Sequence, residues 1–206
     1  MYRFLPLLLT FAVAANIGGK TAPDGTELQL DLPGSQHLQN QGGSDGAGLC
    51  VFTSISHSAR WSHVELLENF RDYMRKYPGG GWPEKVTKMV NQIAKEKGVA
   101  PPQYIQGEGG RELLDVLRAA LQSHRMPAVT YSYSPTGRYG GRKIAHMVSL
   151  VHLDDKRACV LDNNFPGENK YEWMSVEEFY HTFTGGGKSG WAVVLLDAGP
   201  PPLPWN

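Results

Sequence analysis

NQGGSDGAGLCVFTSIS, residues 40–56, runs from a glycine-rich segment through Cys50 into residues that recur at helical spacing. Phe52, Ile55 and Ala59 fall on one face of a 3.6-residue period, so a helix is expected to begin at Cys50. A thiol at a helix N-terminus is biased towards the thiolate. Gly46 and Gly48 allow the chain to turn sharply and let a carbonyl come close to the backbone. The N–H of a first-turn residue has no intrahelical acceptor, so Cys50 has the makings of both a nucleophile and an oxyanion donor. On local sequence alone, a cysteine in apolar company is equally a small buried hydrophobe. The partners elsewhere in the chain decide between these.

Outward from this helix, Ser62 and Glu65 make a capping-box signature, and Val64, Leu67, Phe70, Met74 and Tyr77 form the stripe of a second helix. GGGWP then breaks the chain. Pro83 suits the first turn of a third helix carrying Val86, Met89 or Val90, and Ile93, stopped at Gly98. A short strand is expected at 104–106, and a fourth helix near 110–124 with Leu113, Leu114, Leu117 and Leu121 inward. The period then changes. AVTYSY, HMVSLVHL and ACVLDN are strand-like, the last two separated by the turn-forming DDKR. Ser175 and Glu178 cap a short helix through Phe179 and Phe183, and WAVVLLD is a late strand. Residues 19–38 are polar, with only LQLDL resembling a strand, and are expected to form a surface arm. The fold class expected is α+β, an N-terminal helical half packed against a C-terminal antiparallel sheet, with a crevice where the halves meet.

The chain has 206 residues, enough for one domain with a substantial core. The 20 Lys and Arg balance the 20 Asp and Glu and are dispersed. That leaves no basic footprint for nucleic acid or an anionic membrane. Residues 1–18 read as a secretory leader, with MYR, the apolar FLPLLLTFAVAA and small residues at Ala12 and Ala14; an apolar N-terminal strand or helix is the other reading. A secreted or cell-envelope location follows from the leader, and stable membrane insertion is not expected, because the run is too short and has no successor. The expected division is 1–18 leader, 19–38 arm, 39–199 main domain and 200–206 proline-rich tail. No cofactor or metal is expected: His57, His63 and Cys50 lack a compact ligand spacing, and H-E-x-x-H does not occur. The second cysteine, Cys159, lies beside Val160 and Leu161 as a buried packing residue would, and a bridge to Cys50 is its competing role.

A thiolate needs a proton carrier, and histidine titrates near neutrality. Of 7 histidines, His146 stands apart because it opens the strand HMVSLV directly after the glycine-rich loop SPTGRYGGRKIA. A third group must hold the second ring nitrogen. The DDKR turn brings ACVLDNN back antiparallel to the histidine strand, returning Asp162 and Asn163 near His146. Alternation lets only one of them face the ring, and without the register the sequence does not choose.

In this order, glutamine, cysteine, histidine and amide, the chain resembles the papain-like cysteine peptidases. Asn40-Gln41-Gly42 matches their N-Q-G, and Cys50-Val51-Phe52-Thr53-Ser54 resembles their Cys-x-Phe-x-Ser helix opening. Asp162-Asn163-Asn164-Phe165 resembles their Asn-Ser-Trp, which makes Asn163 the orienting amide and Phe165 the shielding aromatic. The resemblance implies that Gln41 supplies a side-chain N–H to the oxyanion hole. The longer gap before Cys50 leaves Gln39 as the alternative donor. C39-like and transglutaminase-like relatives use Asp, which keeps Asp162 as the alternative orienting group. Asp45 and Tyr139 are expected to line the approach. The implied activity is thiol-dependent hydrolysis of a peptide or amide bond in a peptide or protein substrate. The alternatives are a non-catalytic module of the same fold and a transglutaminase-like acyltransferase.

Overall fold

The computed structural model describes residues 15–42, 48–165 and 167–197. β4 (His146–Leu153) is buried along its whole length, and a strand of this kind needs cover on both faces of its sheet. It lies at the centre of seven strands: β1 (Asn16–Ile17), β2 (Tyr104–Gly109), β3 (Ala128–Tyr131), β4, β5 (Arg157–Leu161), β6 (Tyr171–Ser175) and β7 (Gly190–Leu195). Their order is β1-β6-β5-β4-β3-β7-β2, and each neighbouring pair is antiparallel. β4 and β5 form the expected hairpin, with a register shift between Leu150 and His152.

Two apolar clusters sandwich the sheet. One is built from α1 (Cys50–Ser62), α2 (Phe70–Met74) and α3 (Pro83–Lys97) against Met147, Trp191, Val193 and Leu195. Its centre is the edge-to-face pair of Phe52 and Phe70, with ring centroids 5.1 Å apart. Both rings are fully buried, each contributing about 1.5–3 kcal/mol by transfer from water. The other cluster sets α4 (Arg111–Gln122) and α5 (Val176–Thr184) against Val148, Leu150 and Val160. Helices and antiparallel sheet in this arrangement are an α+β fold.

The third and fourth helices form as their punctuation predicts. Pro83 occupies the start of α3, and Gly98 ends it in the left-handed region at φ 67°. Ser175 and Glu178 close a full capping box on α5.

Three expectations are corrected. Ser62 does not cap a second helix, because α1 continues through it and ends at His63 with φ 56°. The stripe beyond is split into a 3-10 turn, Glu65–Leu67, and the short α2. Leu67, Phe70 and Met74 are still buried, so the apolar positions were right and the continuous helix was not. The arm at 19–38 is not a mere surface segment either. Leu30 and Leu32 are buried in the core, and the Leu30 N–H donates to the Val151 carbonyl at 3.1 Å. Nor are the halves strictly segregated, since β1 and β2 join the sheet from before its main body. The proline-rich tail and residues 1–14 of the expected leader lie outside the described residues.

Candidate active site

Cys50 is the first residue of α1; its thiol and the imidazole of His146, at the start of β4, open on the same hollows and are near enough for each to shift the other's pKa. The other side of the ring is held by Asp162, whose Oδ1 lies 2.9 Å from Nε2. That leaves Nδ1 as the ring nitrogen for the sulfur. All three residues are buried, Cys50 opening on a surface hollow shared with His146.

Burial raises the Cys50 pKa, but the hydrogen bond and charge of His146 and the backbone N–H groups of Met147 and Val51 outweigh it and lower the thiol below 9.0. Burial likewise disfavours the charged imidazole, yet the hydrogen bonds and charges of Asp162 and Cys50 push His146 up to about 9. Asp162 is held below the usual carboxylate range, burial being offset by His146, by Tyr139 and by the Asn164 N–H. Each shift favours a charged form, so thiolate, imidazolium and carboxylate stabilise one another.

The choice that sequence left open between Asp162 and Asn163 is settled geometrically: Asp162 meets the ring. Asn163, in the turn that follows β5, points away from the ring. Its Nδ2 lies 2.9 Å from Ser54 Oγ, 3.0 Å from the Met147 carbonyl and 3.4 Å from the Cys50 carbonyl. Asn163 therefore ties the first turn of α1 to β4, and the assignment of Asn163 as orienting amide is corrected.

Gln41 lines neither of the hollows that open onto Cys50; its carbonyl accepts the Leu49 N–H at 2.9 Å. Gln39 is exposed, its carbonyl bound by Arg71 Nη1 at 2.8 Å. Asp45 falls outside the described residues. Two side-chain amides do share a hollow with Cys50 and His146, those of Asn164 and Asn40. Asn40 Nδ2 packs against Gly48, lying 3.1 Å from where a Cβ would stand.

A directional chain leads from this amide to the acid. Asn40 Nδ2 donates to Asn164 Oδ1 at 2.8 Å. Asn164 Nδ2 donates to the Tyr139 hydroxyl at 3.0 Å, and that hydroxyl donates to Asp162 Oδ2 at 2.7 Å. Burial and then the Asp162 charge push the Tyr139 phenol pKa up, so it remains a donor. The sequence motifs contain Asn40 and Asn164 but point to Gln41 and Asn163, so neither asparagine stood out as a functional residue.

Behind the acid is a second buried layer. Arg138 lies between Asp162 Oδ2, at 3.6 Å from Nη1, and Glu172 Oε2, at 3.5 Å from Nε, with all three side chains almost wholly buried. Glu172 also accepts from the hydroxyls of Tyr131, Ser134 and Thr136. Phe165 covers this layer, stacking under the Arg138 guanidinium at 4.4 Å and meeting the Tyr139 ring edge-on. Cys159 is a free thiol, buried in the other apolar cluster from Cys50, and burial raises its pKa well above the usual value.

No family model and no curated protein matches this chain. No helix among the described residues is long and apolar enough to cross a membrane.

Proposed function

We propose that the protein is a papain-like thiol hydrolase that cleaves a peptide or amide bond through an acyl-enzyme intermediate. The observation that carries this reading is the buried chain Cys50–His146–Asp162, in which every pKa shift favours the charge state that acyl transfer needs.

The Cys50 thiolate attacks the carbonyl carbon and forms a C–S bond as the carbonyl π electrons move to oxygen. Two donors are available to that oxyanion: the Cys50 N–H, which has no acceptor within the helix, and the Asn40 amide, which donates to Asn164. Donors placed where charge develops in the transition state are worth more than those that meet the ground state. His146 then gives its Nδ1 proton to the departing amine as the C–N bond breaks, leaving a thioester on Cys50. Neutral His146 takes a proton from water, which attacks the thioester; collapse returns the thiolate and releases a carboxylic acid. Asp162 keeps the ring turned with Nδ1 towards sulfur and stabilises the imidazolium. An extracytoplasmic location belongs to the same proposal and rests on residues 1–18.

The test is competitive labelling with iodoacetamide followed by hydrolysis of a mixed peptide library. Wild type should label selectively at Cys50 and cleave peptides, whereas Cys50→Ala should do neither and His146→Ala should lose both by orders of magnitude. Labelling of Cys50 without any peptide cleavage or aminolysis product would leave a reactive but non-catalytic module. Transfer to an added amine in preference to water would make the protein an acyltransferase.

A further inference from the structure

Glu172, on β6, is wholly buried, and the turn Ser134-Pro135-Thr136-Gly137 closes over its carboxylate. Proline second and glycine fourth suit a tight turn, and the Gly137 N–H donates to the Ser134 carbonyl at 3.1 Å. The turn presents its two hydroxyls and the Thr136 N–H, at 3.1 Å, to Glu172 Oε1. Tyr131, on β3, donates to Oε2. The next residue of the loop, Arg138, comes back onto the same group, with Nε 3.5 Å from Oε2. Four donors and a guanidinium suit an ionised carboxylate, which only accepts.

Arg138 reaches past Glu172 to Asp162. Its Nη1 lies 3.6 Å from Asp162 Oδ2, and neither Nη1 nor Nε has a hydrogen-bond acceptor among the described residues. Other donors aim the two carboxylates: His146, Tyr139 and the Asn164 N–H on Asp162, the turn and Tyr131 on Glu172. Arg138 therefore acts on Asp162 by charge rather than by direction. In order from the sulfur, Cys50, His146, Asp162, Arg138 and Glu172 alternate in sign. Arg138 alone would draw on the Asp162 charge and weaken its hold on the imidazolium, and Glu172 takes up that positive charge from the far side. A buried ion pair adds little net stability over apolar residues of the same size, so holding the fold together does not account for one set against the acid. The phenols repeat the arrangement: Tyr139 is anchored on Asp162 and Tyr131 on Glu172, and their rings meet the imidazole edge-on at 6.1 and 6.2 Å.

We infer that Glu172 is a positioning residue for acyl transfer, which anchors Arg138 and takes up its charge so that the Asp162 carboxylate keeps its full pull on the imidazolium of His146. The inference rests on the acyl-transfer reading and adds to it a residue on a strand that lines neither hollow at Cys50. The other titratable or charged groups around this series are Tyr131 from β3, Tyr139, Arg142 and Lys143 from the loop between β3 and β4, and Cys159 from β5. Burial keeps the two phenols and the Cys159 thiol neutral. Arg142 and Lys143 stand exposed at the lip of the hollow, where solvent and salt screen them. Arg138 and Glu172 are then the charges that set the field behind Asp162. At an effective dielectric of about 20, a unit charge on the order of 10 Å away moves a titration by roughly one pH unit.

The experiment follows the His146 ring by NMR of protein carrying isotope-labelled histidine, its signal assigned by its absence from His146→Ala, beside the pH dependence of Cys50 alkylation by iodoacetamide. The wild-type ring should titrate at about 9. Glu172→Gln keeps the size of the side chain and its hydroxyl contacts, since each hydroxyl can accept as well as donate, and removes the charge. It should lower both the ring midpoint and the acid limb of alkylation by about half a pH unit or more. Arg138→Met should move both the other way. Ser134→Ala takes a neutral donor from the same carboxylate and should leave both within about 0.2 pH unit of wild type, which separates the charge from mere packing. Should Glu172→Gln fail to fold alone, adding it to Arg138→Met reads the same charge and should bring the midpoint back down. Titrations that stay put or rise in folded Glu172→Gln, or that Arg138→Met moves in the same direction, overturn the inference and leave the thiol chemistry intact. Iodoacetamide labelling of Cys50 no faster than that of Cys159 overturns the acyl-transfer reading itself.

Discussion

The Tyr139 hydroxyl donates to Asp162 Oδ2 at 2.7 Å, and this one contact polarises the hydrogen bonds on both sides of it. It occupies the carboxylate oxygen that His146 does not use, and it leaves the phenol lone pairs to accept from Asn164. Asn164 must then present its carbonyl oxygen to Asn40. The orientation of the acid and that of the amide donor are therefore linked.

Asp162 and Asn163 should separate cleanly by mutation. Asp162→Ala is expected to lower kcat/KM for peptide hydrolysis by about 10²–10⁴, because the imidazole loses both its orientation and its counter-charge. Asn163→Ala leaves the ring contact in place and should instead cost about 1–3 kcal/mol in urea unfolding, by removing the amide that ties Ser54 and the Cys50 and Met147 carbonyls together. A greater loss of activity in Asn163→Ala at unchanged stability would contradict the geometry.

The pH dependence follows from the signs of the shifts. His146 is raised from 6.5 to about 9, so imidazolium is available to protonate a leaving amine until the pH climbs through about 9. The Cys50 pKa is lowered from 9.0, so its alkylation should persist below the range of an ordinary thiol and decline only on further acidification. The stability supplied by the raised His146 is complete below pH 6.5 and is lost as pH rises through about 9. That supplied by Asp162, lowered from 3.8, is present above that value and is lost as pH falls through the depressed one. Paired alkylation and thermal-melt profiles read all four limbs.

Asn40→Ala should slow acylation by p-nitrophenyl acetate by about 10²–10³, the usual cost of one oxyanion donor. Alkylation by iodoacetamide, which forms no oxyanion, should be little changed. Gln41→Ala should leave both rates near wild type, because Gln41 lines neither hollow. Acylation lost in Gln41→Ala and kept in Asn40→Ala would reassign the donor.

Arg138→Met should destabilise the fold by about 3–5 kcal/mol, since it abandons two buried carboxylates at once. Adding Glu172→Gln should recover part of that loss in equilibrium unfolding, as the two changes touch one network. Strict additivity would mean that the three groups are not coupled.

Much of this was legible in the sequence where local chemistry and global packing agree. Pro83 and Gly98 bracket α3, and Ser175 with Glu178 starts α5, because each signal acts within one turn of chain. The order Cys50, His146 and then Asp162 or Asn163 was readable because the DDKR turn makes a hairpin. The register of that hairpin was not, since it depends on a shift between Leu150 and His152 that no local residue dictates. The Ser62 cap failed because α1 runs through Ser62, which is itself buried, and ends only at His63. Asn40 escaped notice because its role comes from a neighbour 124 positions away, Asn164.

The placement of the two sulfurs has a redox consequence. A sulfenic acid formed at Cys50 has no resolving thiol within the molecule, because Cys159 is sealed in the opposite cluster. Repair must then be bimolecular, by a small thiol or a reductase that reaches the Cys50 hollow, and an oxidant stronger than its surroundings can reverse will drive that single sulfur on to sulfinate.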